Sequence, residues 1–312
     1  MIEVRELTRF YGPNAAVETV SFSIENREIV GFLGLNGAGK TTTLKMLAGL
    51  LLPSAGSVTI NGVDAIENSD LIRAKIGFLP EDPPLYTDMR VGDFLRWCGA
   101  IRGASSSDIE ERLPSVMAKC QLTDVADRVI EELSHGYRKR VGIAQAILHQ
   151  PELVILDEPI SGLDPVQIVE MRKVIRQLKE DCTVLISSHI LSEVHQTCDR
   201  ILVLHEGRLV AEGTEQELSQ RAQSGSGGLS LIVRGSASTL SALLDAQDWV
   251  AEHELTSVAG DLVNAHITLT GDNREELVAA IVGAGLGIRK VSDAETELEN
   301  IFLDITKTSE AK

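Results

Sequence analysis

The residues with the clearest chemistry form a glycine-rich segment, Gly34-Leu35-Asn36-Gly37-Ala38-Gly39-Lys40-Thr41, which fits the pattern G-x-x-x-x-G-K-[ST] in full. Glycines let the backbone curl so that several N–H groups point at one anion, and a helix N-terminus adds partial positive charge. The segment therefore predicts a nucleotide phosphate site, with Lys40 on the β- and γ-phosphates and the Thr41 hydroxyl on Mg²⁺. The nucleotide-binding residues predicted here are Asn36, Gly37, Ala38, Gly39, Lys40, Thr41 and Thr42.

A pair of acids, Asp157 and Glu158, follows the apolar run Leu153–Leu156. Such a run predicts a buried strand, which would present the acids at the carboxyl edge of a sheet, where ligands bind in open α/β folds. Adjacent carboxylates repel each other unless a cation or a proton shares the site. We therefore expect Asp157 to contact Mg²⁺ and Glu158 to act as the base that polarises the attacking water. ATP with Mg²⁺ is the predicted cofactor pair.

The elements that position these residues alternate between short apolar runs and helical patterns. Val30–Leu33 reads as a strand before the glycine-rich segment and Lys40–Leu51 as the helix after it. Further strands are predicted at Val184–Ser187 and Ile201–Leu204, and a long amphipathic helix at Val166–Lys179. Continuous apolar strands separated by helices favour an α/β fold with a parallel sheet covered on both faces.

The division into domains is indicated by a Gly/Ser-rich stretch at residues 223–228, whose composition is that of a linker. Residues 1–222 would form the nucleotide-binding domain and residues 229–312 a small α+β domain, with a layout that could be ferredoxin-like. The elements predicted in the small domain are strands at Leu229–Val233, Val263–Thr270 and Ile288–Val291, and helices at Ala237–Ala246, Arg274–Ala284 and Leu298–Ile305.

The overall charge of the chain is −17, which argues against a surface for nucleic acid, because such a surface must neutralise phosphates. The N-terminus carries no apolar signal core, and no stretch approaches the ~20 apolar residues of a membrane span. The four cysteines show no metal-binding spacing and are interpreted as reduced thiols of a reducing compartment. If the protein works at a membrane, another chain must supply the spans.

Three further segments carry a family resemblance. Leu133-Ser134-His135-Gly136-Tyr137 resembles the LSGGQ signature of ABC-type ATPases, Ser161-Gly162-Leu163-Asp164 follows the acids, and Ser187-Ser188-His189 follows the next strand. Their order and spacing across residues 1–220 identify the chain as resembling this family, and in particular the ATP-binding subunits of ABC-2-type transporters. The resemblance implies a phosphate-loop core with a helical insert near Val91–Leu133.

The resemblance also implies roles for individual residues. Tyr11 would stack on adenine, with Phe10 as its competitor, and Ser134 and Gly136 would contact the γ-phosphate held by the other subunit. The roles implied for the remaining residues are organisation of the dimer interface by Asp164, contact with the γ-phosphate by His189, and contact with nucleotide and metal by Glu81 in the segment similar to the Q-loop.

Three positions depart from the family pattern. His135 replaces a glycine, so the loop is less free in φ, and Tyr137 replaces the usual Gln or Glu. Glu81 stands where the Q-loop glutamine would be, which puts a charged group in place of an amide. These departures bear on the geometry of γ-phosphate recognition.

The function implied by the resemblance is ATP hydrolysis that powers a separately encoded ABC-2-type permease. ATP would close a dimer of two such subunits, a homodimer or a pair with another ATPase subunit, and hydrolysis would open it. The chain would then be cytoplasmic and bound to the membrane through the permease. The alternative is a soluble ABC ATPase that acts on a non-membrane partner; such proteins usually carry two ATPase halves or a coiled coil, and this sequence has one phosphate loop.

Overall fold

The computed structural model describes residues 1–214, 216–218, 227–257, 261–271 and 273–293. The chain forms two compact units, Met1–Thr214 and Glu215–Lys312. Most of the predicted linker lies outside the described residues, but Gly227 and Gly228 belong to a strand and not to the linker. Both glycines pair with a neighbouring strand, opposite Leu269 and Thr268, and this pairing offsets the flexibility expected from glycine.

The first unit combines two sheets with helices. Its strands are β1 (Ile2–Tyr11), β2 (Asn14–Ile24), β3 (Ile29–Leu33), β4 (Ala55–Ile60), β5 (Val63–Asp64), β6 (Ile76–Leu79), β7 (Leu153–Leu156), β8 (Thr183–Ser188), β9 (Arg200–His205) and β10 (Arg208–Gly213). Its α-helices are α1 (Lys40–Leu47), α2 (Ser69–Ala74), α3 (Val91–Ile101), α4 (Ser106–Lys119), α5 (His135–Ile147), α6 (Pro165–Leu178) and α7 (Leu191–His195). Helices α3 and α4 occupy the predicted helical insert.

The central sheet has the strand order β10-β9-β3-β8-β7-β6. The strands from β9 to β6 are parallel, as predicted, whereas β10 pairs antiparallel with β9 at the edge. Glu206 and Gly207 both have positive φ (45° and 77°), which suits a two-residue hairpin turn. The predicted strands therefore form a parallel sheet, and the additional edge strand β10, which was not predicted, joins it antiparallel through a tight turn.

The central sheet is buried on both faces, as β7 illustrates. Leu153 and Ile155 pack into one apolar cluster with strands β1, β2 and β4, and Val154 and Leu156 pack into the other cluster with the helices of the insert. Side chains alternate between the faces of a strand, so an unbroken apolar run fits a strand that is covered on both sides. This packing fixes the carboxyl end of β7, where Asp157 and Glu158 begin.

A second sheet, of order β2-β1-β4-β5, was not predicted from the sequence. Its strands pair antiparallel, and β1 and β2 form a hairpin with Tyr11 opposite Asn14. Irregular register in both pairings of β1 breaks the regular alternation by which a strand is recognised. The sheet matters for the site because β2 carries Ala16 towards the glycine-rich loop.

Two predicted helices of the first unit have different bounds in the structure. Helix α1 ends at Leu47 instead of Leu51, because the chain turns at Gly49, whose φ is +67°. Helix α5 starts at His135, since Ser134 caps it by accepting a hydrogen bond from the Tyr137 N–H. Helix α6 spans Pro165–Leu178, one residue earlier at each end than predicted, and is capped by Asp164.

From residue 227 to 293, the described part of the second unit forms an antiparallel sheet of order β12-β13-β11-β14, and two helices lie between its strands along the chain. Its elements are β11 (Gly227–Arg234), α8 (Ala237–Asp245), β12 (Val250–Ser257), β13 (Leu262–Leu269), α9 (Arg274–Gly283) and β14 (Gly287–Asp293). The βαββαβ order and this strand arrangement are ferredoxin-like. Strand β12 was missed, and the predicted helix Leu298–Ile305 lies outside the described residues. None of the helices described here is both long and apolar enough to cross a membrane.

Candidate active site

The glycine-rich loop connects β3 to α1 and curls through backbone conformations that favour glycine. Gly37 and Gly39 have φ of +88° and +98°, and a Cβ on Gly39 would lie 2.5 Å from the Ala16 carbonyl oxygen. Gly39 also occupies the N-cap of α1, where it offers no side chain to the first N–H groups of the helix. The first N–H groups of an α-helix have no partner within the helix. The loop therefore directs free donors and the positive end of α1 outward, as an anion site requires.

An open cleft of about 490 Å³ lies over this loop. The lining residues are Ala16, Leu35, Asn36, Gly37, Gly39, Lys40, Thr41, Thr42, Glu81, Glu158, Ser161 and His189. Nine of these were predicted as site residues, so the fold brings the loop, the strand-end acid and the histidine to one place. Ala38 is buried and is not among the lining residues.

Lys40 is a buried cation at the floor of the cleft. Its ammonium group donates to the Gly34 carbonyl at 2.7 Å and lies 3.5 Å from Glu158 Oε1. Both side chains are more than 90% buried, so the opposite charges offset part of each other's desolvation. A cation held here, beside the N-terminus of α1, suits the phosphates of a nucleotide.

Glu158 joins Lys40 to His189 across the cleft. Its Oε1 faces Lys40, and its Oε2 lies 3.0 Å from His189 Nδ1. Its backbone has a φ of +48°, which is uncommon for a residue with a side chain. The carboxylate is thus fixed at both oxygens and reaches the cleft from a strained position.

Asp157 lies beneath the cleft and does not line it. Its Oδ1 accepts a hydrogen bond of 2.6 Å from the Ser187 hydroxyl, which itself accepts 2.9 Å from the Glu158 N–H. Ser187 at the end of β8 thereby fixes both acids, a role that the sequence gave no reason to expect because it depends on a contact between strands.

The residues predicted to hold Mg²⁺ are Thr41, Glu81 and Asp157, and all three offer oxygen atoms. Among the described residues, no group of three or more His, Cys, Asp or Glu side chains could hold a metal ion by itself. Mg²⁺ is usually bound by one or two protein oxygens together with substrate phosphates and water. Hydroxyl and carboxylate oxygens beside a phosphate loop fit that manner of binding.

The residues of the signature segment lie away from the cleft. Ser134 is exposed at the N-terminus of α5, and neither it nor Gly136 is among the residues that line the cleft. Asp164 caps α6 by accepting from the N–H groups of Val166 and Gln167, and it also lies outside the lining. The structure of one chain therefore does not bring these three residues to the phosphate loop.

Tyr11 lies at the end of β1 and is not among the lining residues of the cleft. Its ring is 49% exposed, with the Arg9 guanidinium 5.1 Å from the ring centre, and the neighbouring Phe10 is 46% exposed. Both aromatic rings are thus available to a ligand. Glu81 is exposed and lines the cleft.

Several residues of the site were missed by sequence reasoning. Leu35 lies in the glycine-rich segment and Ser161 in the segment that follows the two acids, so both could have been predicted from these motifs. Ala16 reaches the cleft through the unpredicted second sheet, and no local pattern marks it. Lys139 is 1% exposed and donates to the Glu158 carbonyl oxygen at 2.5 Å. Lysine side chains are mostly exposed to solvent, so the sequence gave no reason to predict that Lys139 is buried against Glu158.

Known proteins match this arrangement in sequence and in fold. The family described as ABC transporter matches residues 17–161. The ABC transporter ATP-binding protein YxlF of Bacillus subtilis (strain 168) is 32% identical over 308 residues, which are 98% of this chain and 99% of that protein. The bacitracin transport ATP-binding protein BcrA of Bacillus licheniformis is also 32% identical, over 98% of this chain and 97% of its own length.

Among solved structures, an ATP-binding subunit of an ABC transporter superposes with a TM-score of 0.64 and 32% sequence identity. The match covers 72% of this chain and 93% of that structure. The mixed α/β fold is thus that of the phosphate-loop ATPases of this family. Because the phosphate loop, the cleft and the near full-length relatives agree, the chain belongs to the ABC transporter ATP-binding proteins, which bind and hydrolyse ATP in transport.

Proposed function

We propose that ATP is hydrolysed in the cleft over α1, with Glu158 as the base. The observation that carries this proposal is the double contact of the Glu158 carboxylate, with Lys40 at 3.5 Å and with His189 at 3.0 Å. Lys40 and the first N–H groups of α1 would bind the β- and γ-phosphates. A water between the γ-phosphate and Glu158 would be polarised by the carboxylate, and ATP and water would give ADP and phosphate.

The metal ligands in this proposal are Thr41, Asp157 and Glu81. Bound Mg²⁺ supplies positive charge that neutralises and orients the phosphates. The Ser187 hydroxyl donates to one oxygen of Asp157 and so sets the direction of the carboxylate. His189 holds Oε2 of Glu158 and would contact the γ-phosphate with the other side of its ring.

The complete site would need a second subunit. Ser134 is exposed at the capped start of α5 and lies outside the cleft of its own chain. Together with Gly136 it would offer a hydroxyl and N–H groups to the γ-phosphate bound by a partner, while Asp164 would lie at the interface. ATP would then bridge two subunits and close the dimer, and hydrolysis would open it. Tyr11 would stack on the adenine.

The permease would be of the ABC-2 type. Two observations support a membrane partner. BcrA, whose name describes bacitracin transport, matches nearly the whole chain. In addition, an aromatic cluster that follows Glu81 in the sequence is exposed. Tyr86 and Trp97 are 51% and 39% exposed, with ring centres 4.6 Å apart, and Phe94 packs beneath them. Exposed, preorganised aromatic rings are typical of binding surfaces. The chain would then lie on the cytoplasmic face of the membrane.

Co-expression with a six-span membrane protein encoded beside this chain tests the proposal. We expect the two proteins to co-purify and Trp97→Ala to weaken the complex, while the ATPase rate of the isolated subunit stays within about twofold. Val169→Ala, which truncates an exposed apolar residue on α6, is the control. Co-purification with a ribosome or another non-membrane assembly, and not with the permease, would favour the alternative of a soluble ABC ATPase.

A further inference from the structure

Lys139 is an ionisable side chain buried in the first unit outside the residues assigned above. It lies one turn into α5 and is 1% exposed, and its ammonium group donates to the Glu158 backbone carbonyl oxygen at 2.5 Å. An apolar side chain of the same length would fill this space without the desolvation cost of a charge. The contact with Glu158 therefore accounts for a buried lysine that packing alone does not require.

The backbone of Glu158 needs support of this kind. Its φ of +48° lies in the left-handed region, which residues with a Cβ adopt at a cost in energy. The Ser187 hydroxyl fixes its N–H group, and its carbonyl oxygen accepts both from Lys139 and, at 3.3 Å, from the Ser161 N–H. Of these partners, Lys139 brings the only formal charge, and charge-assisted hydrogen bonds are the stronger kind.

We propose that Lys139 is a positioning residue for ATP hydrolysis: by holding the Glu158 carbonyl, it keeps the Glu158 carboxylate between Lys40 and His189. The inference rests on the proposed role of Glu158 as base. It assigns Lys139 no contact with nucleotide or water, so its effect falls on turnover and not on ATP affinity.

The electrostatic surroundings agree with this geometry. Burial lowers the pKa of Lys139, while the carboxylates of Glu81, Glu158, Asp82 and Glu193 act in the opposite direction. Lys139 is therefore placed among acids that favour its charged form. Its hydrogen bond links helix α5 to Glu158, directly after the end of β7.

Two substitutions separate positioning from packing. Lys139→Met keeps an unbranched side chain as far as the ε-carbon and removes the ammonium donor, whereas Lys139→Gln keeps an N–H donor with a shorter reach. We expect the methionine variant to lower kcat at least about tenfold, with ATP affinity by calorimetry changed less than about twofold, and the glutamine variant to fall between it and the parent. Equal rates for both variants and the parent would overturn the proposal.

A matched control is Arg140→Met on the same helix. Arg140 is 3% exposed and donates to Gln121 and Glu170, away from the cleft. This control also loses a buried cation from α5, so it measures what the packing of the helix contributes. If both Lys139 variants fail to fold while Arg140→Met folds, Lys139 serves stability and the proposal is wrong.

The decisive comparison combines Lys139→Met with Glu158→Gln. If Lys139 acts through Glu158, the double variant should hydrolyse ATP no more slowly than Glu158→Gln alone, within about twofold. If Lys139→Met instead lowers the turnover of Glu158→Gln by the same factor as it lowers the turnover of the parent protein, Lys139 does not act through Glu158. Parental turnover by Glu158→Gln alone would instead contradict the proposed function, so the two failures are distinguishable.

Discussion

The two units of the chain differ in what they bury. Among the residues with described side chains, every buried polar or charged side chain lies in the first unit, at or before Thr197, and Lys40, Lys139 and Glu158 are charged members of that set. The apolar core of the second unit consists of leucine, isoleucine, valine and alanine. Burying a charge is costly unless partners compensate, so buried charges concentrate where chemistry uses them. The buried charges of the proposed reaction therefore all lie in the first unit.

The largest effect is expected from Lys40→Ala, which should lower the ATP affinity of the first unit. The substitution removes the charge for the β- and γ-phosphates and leaves Glu158 without its buried cation. We expect ATP affinity measured by calorimetry to fall at least about 100-fold, equivalent to ~2.7 kcal/mol. Lys45→Ala, which alters an exposed lysine of the same helix, should bind ATP normally. Undiminished affinity of Lys40→Ala would place the nucleotide elsewhere in the molecule.

Glu158→Gln should separate binding from hydrolysis within the first unit. The amide is a poor base, while Asp157 and the phosphate loop are unchanged, so ATP should still bind. We expect turnover to drop on the order of 100-fold or more, in the range of general-base effects, and the ATP-bound dimer to accumulate on size exclusion. Glu152→Gln alters an exposed acid just before β7 and serves as the control. Normal turnover in Glu158→Gln would assign the base to another residue.

Replacing one buried leucine by alanine in each unit tests whether only the first unit takes part in the reaction. Leu156 and Leu231 are both fully buried, the first directly before Asp157 and the second in the sheet of the second unit. Each change to alanine should cost ~2–5 kcal/mol in the stability of its own unit, measured by chemical denaturation. Only Leu156→Ala should also slow ATP hydrolysis, because only Leu156 supports the acids. A loss of turnover in Leu231→Ala would give the second unit a part in the reaction.

A smaller effect is expected from Glu81→Gln, which concerns the charge at the mouth of the cleft. Glu81 is exposed and lines the cleft with Glu158, so without Mg²⁺ its charge adds to the repulsion of ATP. We expect the glutamine variant to bind metal-free ATP roughly threefold to tenfold better, since exposed charges contribute about 1 kcal/mol at close range. Binding of Mg²⁺–ATP and hydrolysis should change little.

The control for Glu81→Gln is Asp82→Asn, the adjacent exposed acid that does not line the cleft. Nucleotide affinity is measured with and without Mg²⁺ for the parent and both variants. The same metal dependence in the parent and in Glu81→Gln would show that Glu81 does not sense the metal.

Sequence patterns predicted what is local in this molecule. The strand before the glycine-rich loop, the apolar run before Asp157 and the helix after Asp164 each depend on neighbouring residues, and each was found within one residue of its predicted bounds. Contacts between distant segments were not predictable in this way. Ser187 lies 30 residues from Asp157, and Lys139 lies 19 residues from Glu158. Their roles arise only when the central sheet and α5 have packed.

The smallest effect expected is from removal of the second unit. Within the described part of the chain, the apolar clusters of the first unit contain no residue beyond Leu209 and the cluster of the second unit begins at Leu229, so each unit has a core of its own. A chain that ends before Gly225 should therefore fold and bind ATP with an affinity within about twofold of the parent, because few contacts need cross such a boundary. Its ATPase rate without a partner should be similarly preserved, and Lys40→Ala in the shortened chain should again abolish binding. Calorimetry and thermal unfolding of the shortened and full-length chains provide the measurement. A shortened chain that is insoluble or fails to bind ATP would show that the second unit completes the first, and the contrast between the two would no longer hold.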